Sequence, residues 1–226
     1  MPPGTSTERG PIGPRPVQVE DLPLVRELLD DVFRRSRGVF DQSQLTDFPL
    51  VYSPQNLANN RLIAEDGLVV SHAALWPREL VYDSQRFKAA IIVSVVTHPR
   101  YRLRGYAAAL MRSLQDQLHE QSYDLAILWT AVPDFYRQLG WQLVTPRGVI
   151  VDLDAKCAER IPEGNCACLP LDIACHLDQV LEIFNRNPIR LARDREQAQR
   201  LFSAVQKNQT DPVCDSNQGK TPGSCR

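Results

Sequence analysis

Residues 95–111 run Val-Val-Thr-His-Pro-Arg-Tyr-Arg-Leu-Arg-Gly-Tyr-Ala-Ala-Ala-Leu-Met. A β-branched apolar segment passes through an arginine-rich turn into a small-residue helix start. Backbone N–H groups at such a start have no intrahelical acceptor, and the helix dipole adds partial positive charge at the same spot. The chemistry this permits is anion binding, with a phosphate or diphosphate held by main chain. Gly105 and Ala107 keep bulk away from the backbone, and Arg102 and Arg104 can add charge-assisted hydrogen bonds. A nucleotide-binding P-loop is excluded, because the turn lacks the Gly-Lys-Ser/Thr ending that phosphate and Mg²⁺ contacts require.

A second segment, Phe135-Tyr136-Arg137-Gln138-Leu139-Gly140-Trp141, places a phenol on a short helix closed by glycine. Together the two segments carry a family resemblance. Arg102-x-x-Gly105-x-Ala107 resembles the acyl-CoA pyrophosphate loop of the GNAT superfamily of N-acetyltransferases, whose pattern is Gln/Arg-x-x-Gly-x-Gly/Ala. The Tyr136-to-Trp141 segment is similar to that family's Tyr-x-x-x-Gly-Phe/Trp signature. The similarity spans residues 16–154, and its tone is that of bacterial predicted acetyltransferases, like the N-terminal lobe of enhanced-intracellular-survival-type enzymes.

The resemblance implies an α/β fold with a mixed sheet, the GNAT acyl-CoA N-acyltransferase fold, and acetyl-CoA as co-substrate. It implies that Val95, Val96 and Thr97 hold the pantetheine arm and polarise the thioester carbonyl. The pyrophosphate then falls to Arg102 and the main chain of Leu103, Arg104, Gly105, Tyr106, Ala107 and Ala108. Tyr136 is the candidate general acid: a phenol of pKa ~10 can protonate a departing thiolate whose thiol has a pKa of ~8.5. The same tyrosine could instead simply pack its ring and donate to a carbonyl. No general base is identifiable. Residues 88–96 carry no carboxylate, and Glu65, His72, Glu79 and Asp83 read as structural or solvated, which leaves a water relay. The implied reaction is acetyl transfer to a primary amine of a small molecule or protein. The missing base and the short C-terminal part keep open a non-catalytic acyl-CoA-binding regulatory module of the same fold.

The elements that must position these groups follow from periodicity. Residues 17–20 read as a strand, and Asp21 as the N-cap of a helix with apolar positions Leu22, Val25, Leu28, Leu29, Val32 and Phe33. The arginine run Arg34, Arg35, Arg37 at that helix's end reads as a solvated C-terminus. Residues 40–60 are broken by Pro49 and Pro54 and read as loop or short helix. Asp66-Gly67 between apolar runs predicts a hairpin, and a second one at Asp83-Ser84 feeds a strand over residues 87–96. A helix burying Ala107, Leu110, Met111, Leu114 and Leu118 follows the turn. A strand over 125–129, a helix over 133–139 and a strand over 141–151 complete the domain.

The remaining organisation is a Pro/Gly-rich tail at 1–14 expected to be disordered, the domain at 15–154, a linker and partial helical extension at 155–206, and a polar tail at 207–226, also expected to be disordered. Helices are expected over 177–185 and 195–205 in the extension. With 26 basic and 27 acidic residues the chain offers no global case for nucleic acid or anionic membranes. No run reaches transmembrane length and the N-terminus lacks an apolar signal region, so a cytoplasmic protein is expected. Cys157, Cys166, Cys168 and Cys175 with His176 lack the paired C-x-x-C spacing of zinc modules, so no metal is expected. A homo-oligomer across an edge strand is open, with no residue pattern arguing for it.

Overall fold

The computed structural model describes residues 10–144 and 172–208. Its six-stranded sheet begins with β1 (Ile12–Pro16), whose first three residues fall in the tail expected to be disordered. The expected strand at 17–20 is instead a 3-10 turn, Val19–Asp21, leading into α1 (Leu22–Phe33). Asp21 does not cap α1 with its side chain. Its carboxylate accepts two hydrogen bonds from Arg15, at 2.6 Å each, and one from the Gln18 N–H at 2.8 Å. A bidentate guanidinium outcompetes the cap because charge-assisted pairs are the stronger bonds.

The loop after α1 holds one short helix, α2 (Gln44–Asp47), and a 3-10 segment, Pro54–Asn59. Buried Asp30 on α1 draws it in, accepting from the Gln44 N–H at 2.7 Å and Ser43 Oγ at 3.2 Å. Next come β2 (Asn60–Glu65), β3 (Leu68–Tyr82) and β4 (Gln85–Thr97), joined by the two expected hairpins. Asp66 and Gly67 both take positive φ, 54° and 77°, which the right-handed strand twist favours in a two-residue turn. Then follow α3 (Tyr106–Glu120), β5 (Leu125–Ile127) and α4 (Pro133–Arg137). Gly140 closes the turn after α4 at φ 86°. Residues 141–144 are irregular where a strand was expected, and the rest of that expected strand lies outside the described residues.

The strands run β1-β2-β3-β4-β5, antiparallel except for the parallel β4–β5 pair. One face packs on α1 through Val25, Leu28 and Leu29, and the other on α3 through Leu110, Met111 and Leu114. The expected stripe of α3 is thus the core face, with Ala107 half-buried at its edge. The C-terminal segment forms α5 (Ile173–Asn185), β6 (Ile189–Leu191) and α6 (Arg195–Asn208). β6, not expected from the sequence, pairs antiparallel with Leu80–Tyr82 of β3. It takes the β3 edge that β2 leaves after Ala74.

Candidate functional site

The site starts from a fault in β4. His72 pairs with Val96 but Ala74 pairs with Val93, so β4 carries one extra residue between them. Ser94 absorbs it at φ 53°, a left-handed conformation uncommon outside glycine. The bulge is held from behind. Buried Tyr52 donates its hydroxyl to Ser94 Oγ at 2.7 Å, and His72 Nδ1 lies 3.2 Å from the Ser94 carbonyl. A carbonyl only accepts, so the proton sits on Nδ1. His72 is fully buried and its Nε2 has no partner among the described residues. Burial lowers its pKa to about 4, so the ring is neutral at pH 7.

The parallel partner stops short. β5 pairs with β4 only from Ala89↔Leu125 to Ile91↔Ile127, while β4 continues to Thr97. The two strands part there and leave a cleft beside Val95, Val96 and Thr97. Ser71 on β3 steadies the far side of β4, its Oγ donating to the Val96 carbonyl at 2.9 Å and lying 2.8 Å from Thr97 Oγ1.

After Thr97 the chain turns through Pro99–Tyr101 into α3. Leu103 at φ 64° and Gly105 at φ 81° are both left-handed. Turns of this kind aim successive N–H groups into one concavity. The N–H groups of residues 103–108 have no protein acceptor among the described residues. The first bond of the helix is Ala109 N–H to the Gly105 carbonyl, at 3.0 Å. A Cβ built at Gly105 would meet no atom of the described residues within 4 Å beyond its chain neighbours, so the glycine is required for its φ and not for room against them.

A cavity of about 450 Å³ joins cradle and cleft, and every expected site residue except Arg104 lines it. The Arg104 guanidinium turns away, paired with Glu65 at 2.9 Å and stacked 4.9 Å over the Tyr101 ring. Glu65 also accepts the Tyr106 hydroxyl at 2.6 Å. Arg104 therefore ties the turn to β2, and only its N–H faces the cradle. Arg102 lines the cavity and donates Nε to the Thr97 carbonyl at 3.3 Å.

Tyr136 stands in the same cavity, 9 % exposed, with edge-on contacts to Phe135 at 4.9 Å and Trp141 at 6.5 Å. Burial raises its pKa, partly offset by a hydrogen bond with Thr130, so the phenol keeps its proton at neutral pH. Val32 and Phe33 of α1, Tyr101, Val132 and Phe135 complete the walls. The sequence marks Val32 and Phe33 only as core positions, since periodicity cannot show that a helix's last turn overhangs a cleft.

Among the described residues no carboxylate or histidine lines this cavity. Glu65 is engaged as above, His72 is sealed in the core, and Glu79 pairs with Arg86 at 2.6 Å on the far part of the hairpin. Asp83 sits in the β3–β4 turn at φ 52°. Of the basic run after α1, Arg34 pairs with Asp47 and Arg35 with Asp31, so these arginines hold the fold together. Among the described residues no group of His, Cys, Asp and Glu is placed to hold a metal; Cys175 is exposed, and the three preceding cysteines lie outside the described residues. No helix among them is long and apolar enough to cross a membrane.

A bulged strand splaying from its parallel neighbour above an open N–H cradle defines the GNAT acyl-CoA N-acyltransferase fold. The sequence model of a family described as an acetyltransferase (GNAT) domain matches residues 14–144. The chain belongs to the GNAT acetyltransferase family. Among solved structures it is similar to a GCN5-related N-acetyltransferase from Kribbella flavida (19% identity, TM-score 0.49, covering 61% of this chain and 34% of that one). Another is the GCN5-related N-acetyltransferase from Anabaena variabilis (24%, TM-score 0.46, covering 55% and 30%). A third is a GNAT family acetyltransferase from Brucella melitensis in complex with acetyl-CoA (20%, TM-score 0.47, covering 57% and 81%). The chain spans about a third of the length of the first two. No curated protein matches it.

Proposed function

We propose that the protein transfers an acetyl group from acetyl-CoA to a primary amine of a small molecule or protein. The observation that carries this reading is the run of N–H groups at 103–108 without protein acceptors, opening onto the cleft beside bulged β4. A diphosphate would satisfy that cradle, with Arg102 at its rim. The apolar slot between Val95, Val96 and Phe135 suits an acyl arm, and main chain at the bulge would face the developing oxyanion. The amine nitrogen attacks the thioester carbonyl carbon. As the C–S bond breaks, the sulfur takes the Tyr136 hydroxyl proton. The attacking nitrogen, cationic once bonded to the acyl carbon, loses a proton to water to give the neutral amide, and the phenolate is reprotonated from solvent.

The test is release of CoA thiol when the protein meets acetyl-CoA and a panel of amines. Tyr136→Phe should lower kcat about 100-fold, within the usual worth of a positioned acid, and leave acetyl-CoA affinity within about twofold. Unchanged kcat would remove Tyr136 from the mechanism. One observation favours a second reading: among the described residues no carboxylate or imidazole lines the cavity to take the amine's proton. A non-catalytic acyl-CoA-binding module with the same fold would bind acetyl-CoA and release no thiol with any amine.

A further inference from the structure

A second cavity, of about 560 Å³, lies between the far part of the β3–β4 hairpin and the C-terminal segment. Glu79 and Arg86 line it from the hairpin; Arg190, Arg193, Asp194 and Gln197 line it from the other side. It is separate from the cradle. Glu79 lies eight residues along β3 from Ser71, the register partner of Thr97, which is roughly 26 Å of strand.

The charges here do not balance. Arg86 is paired with Glu79, and Asp194 Oδ1 is taken as a cap by the Gln197 N–H at 2.7 Å. Arg190 makes one bond to a neutral group, Nη1 to the Asn187 carbonyl at 3.0 Å. Arg193 stacks 4.3 Å over Phe184, and its buried Nε has no partner among the described residues. Behind the cavity, Arg78 is only 7 % exposed. Its guanidinium lies over Trp76 at 4.7 Å and donates to two neutral acceptors, Gln197 Oε1 at 3.0 Å and the Ala192 carbonyl at 2.6 Å; its Nε is also buried without a partner.

No carboxylate among the described residues forms an ion pair with Arg78, Arg190 or Arg193. Burial presses on Arg78 first and the like charge of Arg193 second, and the charge of nearby Asp194 offsets this only in part. Guanidinium groups do not shed their protons in response, so such a cluster is relieved by a counter-anion.

We propose that this cavity binds a small multivalent oxyanion, phosphorylated or polycarboxylate, gripped by Arg190 and Arg193 against Arg86, with Arg78 supplying buried charge. Guanidinium forks match both oxyanion types. Because these arginines come from the hairpin and from the β6–α6 segment, the bound anion fastens one to the other and stabilises the folded state by mass action.

The test titrates pyrophosphate, and separately citrate, into full-length protein saturated with CoA so that the cradle is already filled. Potassium chloride at matched ionic strength is the reference, with calorimetry and Tm as readouts. The expected result is saturable one-site binding of at least one anion and a Tm rise of several degrees over the reference. Arg190→Gln with Arg193→Gln should weaken that binding at least tenfold and leave CoA affinity unchanged. Arg86→Gln, on the exposed hairpin, gives a second variant that spares the core and should weaken binding several-fold. Binding of pyrophosphate alone assigns the site to phosphorylated ligands, and binding of citrate alone to polycarboxylates. No saturable binding of either anion, or binding unchanged in these variants, overturns the proposal. Thiol release from acetyl-CoA is a separate readout and would survive that failure.

Discussion

Tyr52→Phe removes one hydroxyl that never touches the cavity, yet it should weaken acetyl-CoA binding. Tyr52 is 6 % exposed and its hydroxyl is 2.7 Å from Ser94 Oγ. Its loss leaves the Ser94 hydroxyl without that partner, at a cost of about 1–2 kcal/mol for a partly buried group. For a chain of this size that corresponds to a Tm fall of about 2–8 °C. The same bond holds Ser94 at φ 53°, a conformation that costs a non-glycine residue roughly 1–2 kcal/mol. Once released, the bulge can relax, and Val95 to Thr97 lose their fixed aim at the cleft. If that relaxation is worth about 1.4 kcal/mol, acetyl-CoA affinity falls about tenfold. Adding Ser94→Gly to Tyr52→Phe should restore much of the affinity, since glycine takes the left-handed conformation freely, without restoring all the stability. Calorimetric titration with acetyl-CoA and a thermal melt read the two effects. A variant that melts earlier but binds acetyl-CoA with unchanged Kd would show that the backbone ladder alone holds the bulge.

Gly105→Val should cost stability only modestly, about 1–2 kcal/mol for forcing φ 81° on a branched residue, because no atom of the described residues beyond its chain neighbours lies within 4 Å of the new Cβ. Acetyl-CoA affinity should fall further than stability does, since the side chain projects from the cradle; titration calorimetry beside urea unfolding separates the two. His72 sets an acid limit. Its folded pKa, about 4, lies below the unfolded 6.5, so the unfolded chain binds the extra proton and stability declines as pH falls from 6.5 to 4. At about 1.4 kcal/mol per pKa unit the loss approaches ~3 kcal/mol, and it is absent above pH 6.5. Urea midpoints between pH 4 and 7.5 measure it, and a flat profile there would contradict a neutral buried ring.

The cradle was legible in the sequence because its chemistry is local: an arginine turn, a glycine and small residues opening a helix. The Asp66-Gly67 hairpin was legible for the same reason. The bulge was not, because residues 91–96, Ile-Ile-Val-Ser-Val-Val, give no alternation from which an extra residue could be read. Nor were β1 and β6. Ile-Gly-Pro-Arg-Pro and Ile-Arg-Leu are strands only because long-range pairing with β2 and β3 overrides their composition. Arg104 shows the opposite failure. Its type and spacing suit a phosphate, but Glu65 reaches it from a strand 39 residues earlier.

β6 covers only Leu80–Tyr82, but its position has a wider consequence. β2 accompanies β3 only as far as Ala74, and β5 accompanies β4 only over Ala89–Ile91, opposite Trp76–Arg78, so among the described residues the β3–β4 tip beyond Arg78 would otherwise project as a bare two-stranded arm. Such ribbons are marginal alone in water and leave an edge open to other chains. A strand drawn from more than a hundred residues downstream turns the arm into three strands and occupies that edge. The segment at 172–208 is thus a structural member of the sheet it flanks, and the arm's persistence as ordered structure depends on a stretch of chain well beyond the residues that surround the cleft beside β4.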